Sequence, residues 1–344
     1  MRRSCLAFVV GIVMLASIGL AQQAPAAGPY KVLKTARVGG EGGFDYVYAD
    51  VDGRRLYIPR SGNPARITVF NLDTLEPTGE IPNASARGAA VDPKSNHGFA
   101  SSKPVVMWDT KTLATIKTID VEGNPDGILF DPFNERVYAF SHSAPNATVI
   151  DAKDGSVVGT IDLGGAPEQA VSDGKGHLYV DIEDKNNIAV VDAATLKVTA
   201  HYDLAGKGGT PAGLAMDVKN HRLFSVCSNK MMIVMDSESG NVLATPAIGE
   251  RVDGAAFDPV TSLAYSSNGE GTLTIVREEG PTKFSVIQNV PTQPGARTIT
   301  LDPKTHNVYL PTAKFEPASE STKDTPRPRP KMVPGTFRIL VVGK

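Results

Sequence analysis

One phrase recurs seven times along this chain: an aspartate or similar turn residue, a short polar turn, and an aromatic residue seven positions on. The instances are Asp50–Tyr57, Asp92–Phe99, Asp131–Tyr138, Ser172–Tyr179, Asp217–Phe224, Asp258–Tyr265 and Asp302–Tyr309. Successive aromatics lie 42, 39, 41, 45, 41 and 44 residues apart. A period near 40 with strand-like content marks small four-stranded sheets repeated around an axis. The sequence therefore predicts an all-β fold, a seven-bladed β-propeller.

The repeat uses nearly all of the 344 residues, so residues 28–344 read as one domain rather than two. The 33 glycines and 25 prolines suit many tight turns between short strands. Each repeat reads as strands A to D. In the third, Gly127–Phe130 is A, Arg136–Phe140 is B, Ala147–Ile150 is C and Ser156–Ile161 is D, all rich in β-branched and aromatic residues. Asp-Pro opens the A–B turn at Asp92, Asp131, Asp258 and Asp302. Proline presets φ there, and aspartate can bond backbone two residues on. Asp109, Asp151, Asp192 and Asp236, at the ends of strands C, read as turn-formers by the same argument. The last repeat supplies only A (Thr298–Leu301), B (Asn307–Leu310) and C (Phe337–Val342). Its fourth strand is expected from the other end of the chain, Tyr30–Val38, which closes the ring and removes a free sheet edge.

Arg2 and Arg3, an apolar stretch from Leu6 to Ala21 and small residues at Ala24, Ala26 and Ala27 read as a secretory signal peptide with a short leader, residues 1–27. A periplasmic or secreted location follows as an expectation, with no membrane span once that segment is cleaved. Loss of Arg2 and Arg3 takes the net charge from −2 to −4, which argues against nucleic acid as a partner. Only Cys227 then remains, so no intramolecular disulfide can form.

Tyr179-Val180 leads to Ile188-Ala189-Val190-Val191-Asp192, and Tyr138-Ala139 leads to Ala147-Thr148-Val149-Ile150-Asp151. A tyrosine-hydrophobic pair followed by a valine-rich strand ending in aspartate resembles the YVTN-repeat, or YncE-like, propeller family. The likeness runs from Tyr30 to Val342, although the eponymous Thr-Asn is missing after the tyrosines. It implies the fold and brings no catalytic residue with it.

In a propeller, the loops leading into strand A and those joining B to C share one face, around the mouth of the central channel. Counting back from each turn gives Asp45, Arg87, Asp126, Glu168, Ala212, Asp253 and Arg297 at the start of each strand A; Glu168 qualifies if Asp173 rather than Ser172 is the turn anchor. Six of these seven are charged, where a charged content of 21% would give one or two. Gly88, Gly127, Gly213 and Gly254 follow directly, sparing volume where the innermost strands converge. Three readings are open. The ring is self-paired and fixes the strand starts; or Arg87 and Arg297 clamp a small polar or anionic ligand; or Asp45, Asp126, Glu168 and Asp253 hold a divalent metal that activates water. The last has a precedent among lactone-hydrolysing propellers by fold analogy alone.

The B–C loops add Arg60, Arg66, Lys103, His142, Glu183, Asp184, Lys185, Asn229, Lys230, Asn268 and Glu270 to that face. His142 is the one histidine expected there, a candidate general base. The irregular stretch from Lys314 to Gly335 carries Pro326-Arg327-Pro328-Arg329-Pro330 and reads as a surface insertion or a stiff lid over the mouth. His97, His177, His221 and His306 fall in A–B turns on the opposite face, in four blades, too dispersed to share a metal. Trp108 reads as core and Cys227 as a buried, inert thiol. No nucleophile elbow, zincin helix or paired-cysteine motif occurs. The expectation is thus a monomeric, exported propeller that binds a small polar or anionic ligand, or a protein partner, at its charged mouth, without catalysis. The alternative is a metal-assisted hydrolase of the propeller lactonase type, with a divalent metal as its cofactor.

Overall fold

The computed structural model describes residues 28–317 and 330–344. The expected signal segment and Arg327 and Arg329 of the expected lid lie outside them. The described chain forms seven antiparallel four-stranded sheets, and its one helical element is the short 3₁₀ turn Glu183–Lys185. It is a seven-bladed β-propeller. Among the described residues, no helix is long and apolar enough to cross a membrane.

Blade three shows the unit. Its strands are Pro125–Asp131, Arg136–Ser141, Asn146–Asp151 and Val157–Asp162, each reaching a residue or two past the run expected from sequence. Blade seven is assembled from both chain ends: Thr300–Asp302, Asn307–Thr312 and Arg338–Gly343 pair in turn, and Lys31–Arg37 completes the sheet as strand D. The side-chain amide of Gln288, in blade six, reinforces the closure. It accepts from the Tyr30 backbone N–H at 3.1 Å and donates to the Tyr30 carbonyl at 2.7 Å.

The repeating aromatics earn their period through packing. Side chains alternate across a strand, so neighbours in strand B face opposite blades. Tyr57 packs with Trp108 of blade two, while the adjacent Leu56 and Ile58 pack with Tyr309 and Ile339 of blade seven. The described core therefore divides into seven apolar clusters, one between each pair of neighbouring blades. Trp108 is fully buried, as expected from sequence, and its ring occupies the space where Gly98 has no side chain. Cys227 is buried as well, and burial pushes its thiol up to about 12.

The turn aspartates hold backbone. Asp92 accepts from Lys94 N at 2.9 Å, Asp217 from Lys219 N at 2.9 Å and Asp302 from Lys304 N at 3.1 Å. At the far ends of strands C, Asp109 accepts from Thr112 N at 2.7 Å and Asp192 from Thr195 N at 2.8 Å. In blade four the A–B turn is one residue shorter. Asp173 takes Lys175 N at 2.7 Å and His177 N at 3.0 Å, so Asp173 is the equivalent anchor and Glu168 belongs to the ring.

Candidate functional site

Four of the innermost strands share an irregularity at their first turn of the pleat. In Pro125–Asp131, Pro167–Ser172, Pro211–Asp217 and Val252–Asp258 the pairing with strand B slips by one residue at Asp126, Glu168, Ala212 and Asp253. A β-bulge of this kind leaves one residue unpaired and re-aims its side chain. The glycines that follow permit the convergence this needs. A β-carbon on Gly127 would meet the Glu168 carbonyl at 2.7 Å, and one on Gly213 would meet the α-carbon of Gly254 at 2.8 Å.

Two of the re-aimed side chains, Asp126 and Asp253, reach arginines at the starts of other innermost strands. Arg87 Nη1 lies 3.2 Å from Asp45 and 3.5 Å from Asp126. Arg297 bridges Asp45 through Nη2 at 3.2 Å and Asp253 through Nη1. Charges from five blades thus form one chain: Asp126, Arg87, Asp45, Arg297, Asp253. Thr298 anchors its centre by donating its hydroxyl to the Asp45 carbonyl at 2.8 Å. Burial raises the carboxyl of Asp126 despite the opposing field of Arg87. For Arg297 burial works downward, but the carboxylates of Asp253 and Asp45 prevail and its affinity for the proton rises.

Glu168 stands apart. Its partner is the hydroxyl of Tyr46, which donates at 2.8 Å, and no ion pair to an arginine or lysine reaches it among the described residues. Burial, then the fields of Asp253 and Asp126, push its carboxyl up to about 9, against the Tyr46 hydrogen bond. Burial, then the fields of Glu168, Asp126 and Asp253, raise the Tyr46 phenol well above its ordinary value. Beside this group, His142 Nε2 lies 2.9 Å from Glu183 Oε2. One ligand atom each from His142, Glu168 and Glu183 can be chosen so that all lie within 4.8 Å of one another. Among the described residues, these three are the group whose geometry suits a cation. Of the four carboxylates expected as metal ligands, Asp45, Asp126 and Asp253 are instead engaged by guanidiniums, and only Glu168 stays in the set. Tyr46 stands at the repeat position that is glycine in four other blades, and His142 and Glu183 each stand four residues past a repeated aromatic; the repeat places all three on this face but does not encode which of them meet.

Other loop candidates on this face turn out to be structural. Arg60 is 1% exposed, stacked 3.8 Å over the Phe337 ring, and it donates to the carbonyls of Glu41 and Gly42. Asn268 is fully buried and bonds Ser266, Thr272 and Thr274. Asn229 donates to the Lys207 carbonyl at 2.7 Å, and Lys230 pairs with Glu250. Arg66 faces Glu80 at 3.4 Å, and Asp184 accepts from Ala166 N at 2.8 Å. The turn histidines bind locally or across to the next blade: His306 Nδ1 lies 2.8 Å from Asp258, and His97 Nδ1 lies 2.9 Å from the Ala152 carbonyl.

No family model matches this chain, and no curated protein does. Solved structures do. A chain of Kuenenia stuttgartiensis hydrazine synthase aligns with a TM-score of 0.66 at 18% identity, covering 78% of this chain and 92% of that one. The RRP9 WD40 repeats give 0.70 at 13% identity, covering 93% and 99%. A chain of the mitotic checkpoint complex gives 0.69 at 10% identity, covering 99% of each. At such identities the likeness is one of fold.

Proposed function

We propose that this chain is an exported, YncE-like propeller that binds a small polar ligand at the mouth and performs no chemistry of its own. The observation that carries this reading is an imbalance: three bridged carboxylates face two guanidiniums, and Glu168 beside them adds a carboxyl that keeps its proton and so contributes hydrogen-bonding capacity but no charge. Each guanidinium already faces two acids, so the anionic half of the sequence expectation loses its support at this place. A ligand offering hydrogen-bond donors or a positive group fits the surplus better. Native mass spectrometry of the protein from its own host tests the proposal. A bound small molecule that is lost in Asp126→Asn supports it; a bare wild-type chain sinks it, and a co-purifying protein replaces the ligand by a partner.

A second reading follows from His142, Glu168 and Glu183. An imidazole and two carboxylates suit zinc or manganese, and the Tyr46 hydroxyl would orient the Glu168 carboxylate from behind. The metal would supply an activated water, as in a lactonase-type hydrolase. Melting with added zinc or manganese separates the two readings. A metal-dependent rise lost in Glu183→Gln favours the hydrolase, to be followed by turnover of a lactone panel; an unchanged melt removes it.

A further inference from the structure

Strands C and D of blade seven place two like charges face to face. Arg338, at the start of C, is the direct cross-strand partner of Arg37, at the end of D. Like charges in that relation destabilise a sheet, and this is the sheet that joins the two ends of the ring. The other directly opposed arginines, Arg60 and Arg66 of blade one, are relieved separately: Arg60 donates to the Glu41 and Gly42 carbonyls and Arg66 faces Glu80 at 3.4 Å. At Arg37 and Arg338 no carboxylate is within ion-pair distance among the described residues. A third unpaired cation, Lys314, lines the same cleft of about 350 Å³, with Gly335, Thr336 and Phe337.

The walls of this cleft are held in place. Arg338 Nε donates to the Thr336 carbonyl at 3.2 Å, which fixes the plane of its guanidinium. The Thr336 hydroxyl accepts from Lys314 N at 3.0 Å and donates to the Val333 carbonyl at 2.7 Å. Gly335, at φ 71°, leaves open space where a side chain would stand. A fixed guanidinium opposite a second one, with an ammonium beside them, is the arrangement that recognises an oxyanion. A local conflict kept at a structurally important seam is a pointer to function.

We propose that Arg37, Arg338 and Lys314 form a binding site for a phosphate-type oxyanion on the mouth-facing edge of blade seven. The site is separate from the acidic ring and does not depend on what the ring binds. The bound anion turns the Arg37–Arg338 repulsion into a bridge, so ligand binding also tightens ring closure.

The test titrates inorganic phosphate into the full chain at constant ionic strength, with chloride as the control, and follows calorimetric binding and Tm. Phosphate about 100-fold above its dissociation constant is expected to raise Tm by roughly 5 °C. Arg37→Gln and Arg338→Gln should each bind phosphate at least about tenfold more weakly, yet melt no lower than wild type without phosphate, because the repulsion is relieved. Lys314→Gln, outside the ladder, serves if either strand variant fails to fold. Vesicles containing phosphatidic acid form the second arm. Co-sedimentation lost in the same variants assigns a lipid headgroup, and phosphate binding without co-sedimentation assigns a free phosphate compound. Binding of neither probe, equal stabilisation by chloride, or wild-type affinity in the variants overturns the proposal.

Discussion

Asp45 Oδ1 accepts a hydrogen bond from Arg297 Nη2 at 3.2 Å across 252 residues of sequence. Its other oxygen takes Arg87 Nη1 at the same distance. One carboxylate therefore ties together the starts of blades seven, one and two, the sector in which the ring is closed by its N-terminal strand.

Replacing Asp45 by alanine removes both contacts at once and leaves each guanidinium with a single acid. Breaking a fully buried pair costs several kcal/mol, but Arg87 is 45% exposed and Arg297 31%, so solvent screens much of it. The expected loss is about 1–2 kcal/mol, or a Tm lower by roughly 2–6 °C. A double-mutant cycle with Arg297→Ala should return a coupling of about 1 kcal/mol. Additive losses would mean that the bridge is a bystander.

Glu168 makes stability depend on pH. Burial first, and then Asp253 and Asp126, hold its carboxyl at about 9 against an ordinary value of 4.5. Between those values the unfolded chain has lost this proton while the folded chain keeps it, so stability falls as pH rises through that window. Below the window both states are protonated and the contribution vanishes. Glu168→Gln cannot ionise and still accepts from Tyr46. With a chelator present, the variant should match wild type near pH 4.5 and exceed it by about 2 kcal/mol at pH 9. Parallel denaturation curves across pH would contradict the burial of this acid.

What the chain reveals before folding follows from repetition. Tyr57, Tyr138 and Tyr265 could be read because each repeat solves the same packing problem, and the solution is written at one spacing. The ring could be read for the same reason: Asp45, Arg87, Asp126, Asp253 and Arg297 stand at one offset before a turn aspartate, and a bulge or short strand brings them to one rim. The partners could not be read. Whether Asp126 meets a metal or Arg87 depends on side-chain reach across blades, which no periodicity encodes. The charge of Arg60 points to a loop, yet it is the last residue of strand B, a position buried in every blade, and Phe337, from the far end of the chain, covers it. Blade four's shorter turn blurred the count at Glu168, and only the bonds made by Asp173 settle it.

Gly98 offers a direct test of inter-blade packing. An added β-carbon would meet the Trp108 ring at 2.1 Å, and that ring is fully buried against Tyr57 with centroids 5.6 Å apart. Gly98→Ala should therefore destabilise the fold by about 2–3 kcal/mol and alter tryptophan fluorescence, since Trp108 is the chain's one tryptophan. Adding Trp108→Leu, which vacates the space, should recover part of the loss. A neutral Gly98→Ala would show that blades one and two pack more loosely than described.

The closure of blade seven can be broken without touching a side chain of the acidic ring. Lys31–Arg37 contributes a ladder against Arg338–Gly343, interrupted by one irregularity between Val32 and Lys34. At about 1 kcal/mol for each main-chain bond, its removal costs on the order of 5 kcal/mol. Gln288→Ala, which leaves the strand but strands the Tyr30 backbone groups it satisfies, should cost about 1–2 kcal/mol. Deleting residues 1–37 therefore lowers Tm far more than the glutamine substitution and exposes the outer edge of strand C. That edge invites pairing with another chain, so the truncated protein should also dimerise or aggregate with rising concentration. A synthetic peptide spanning residues 28–38 can add back as an edge strand and should restore Tm and suppress the added association. A truncated protein with an unchanged, cooperative melt would mean that the ring is held by its inter-blade clusters and not by the joining of its ends.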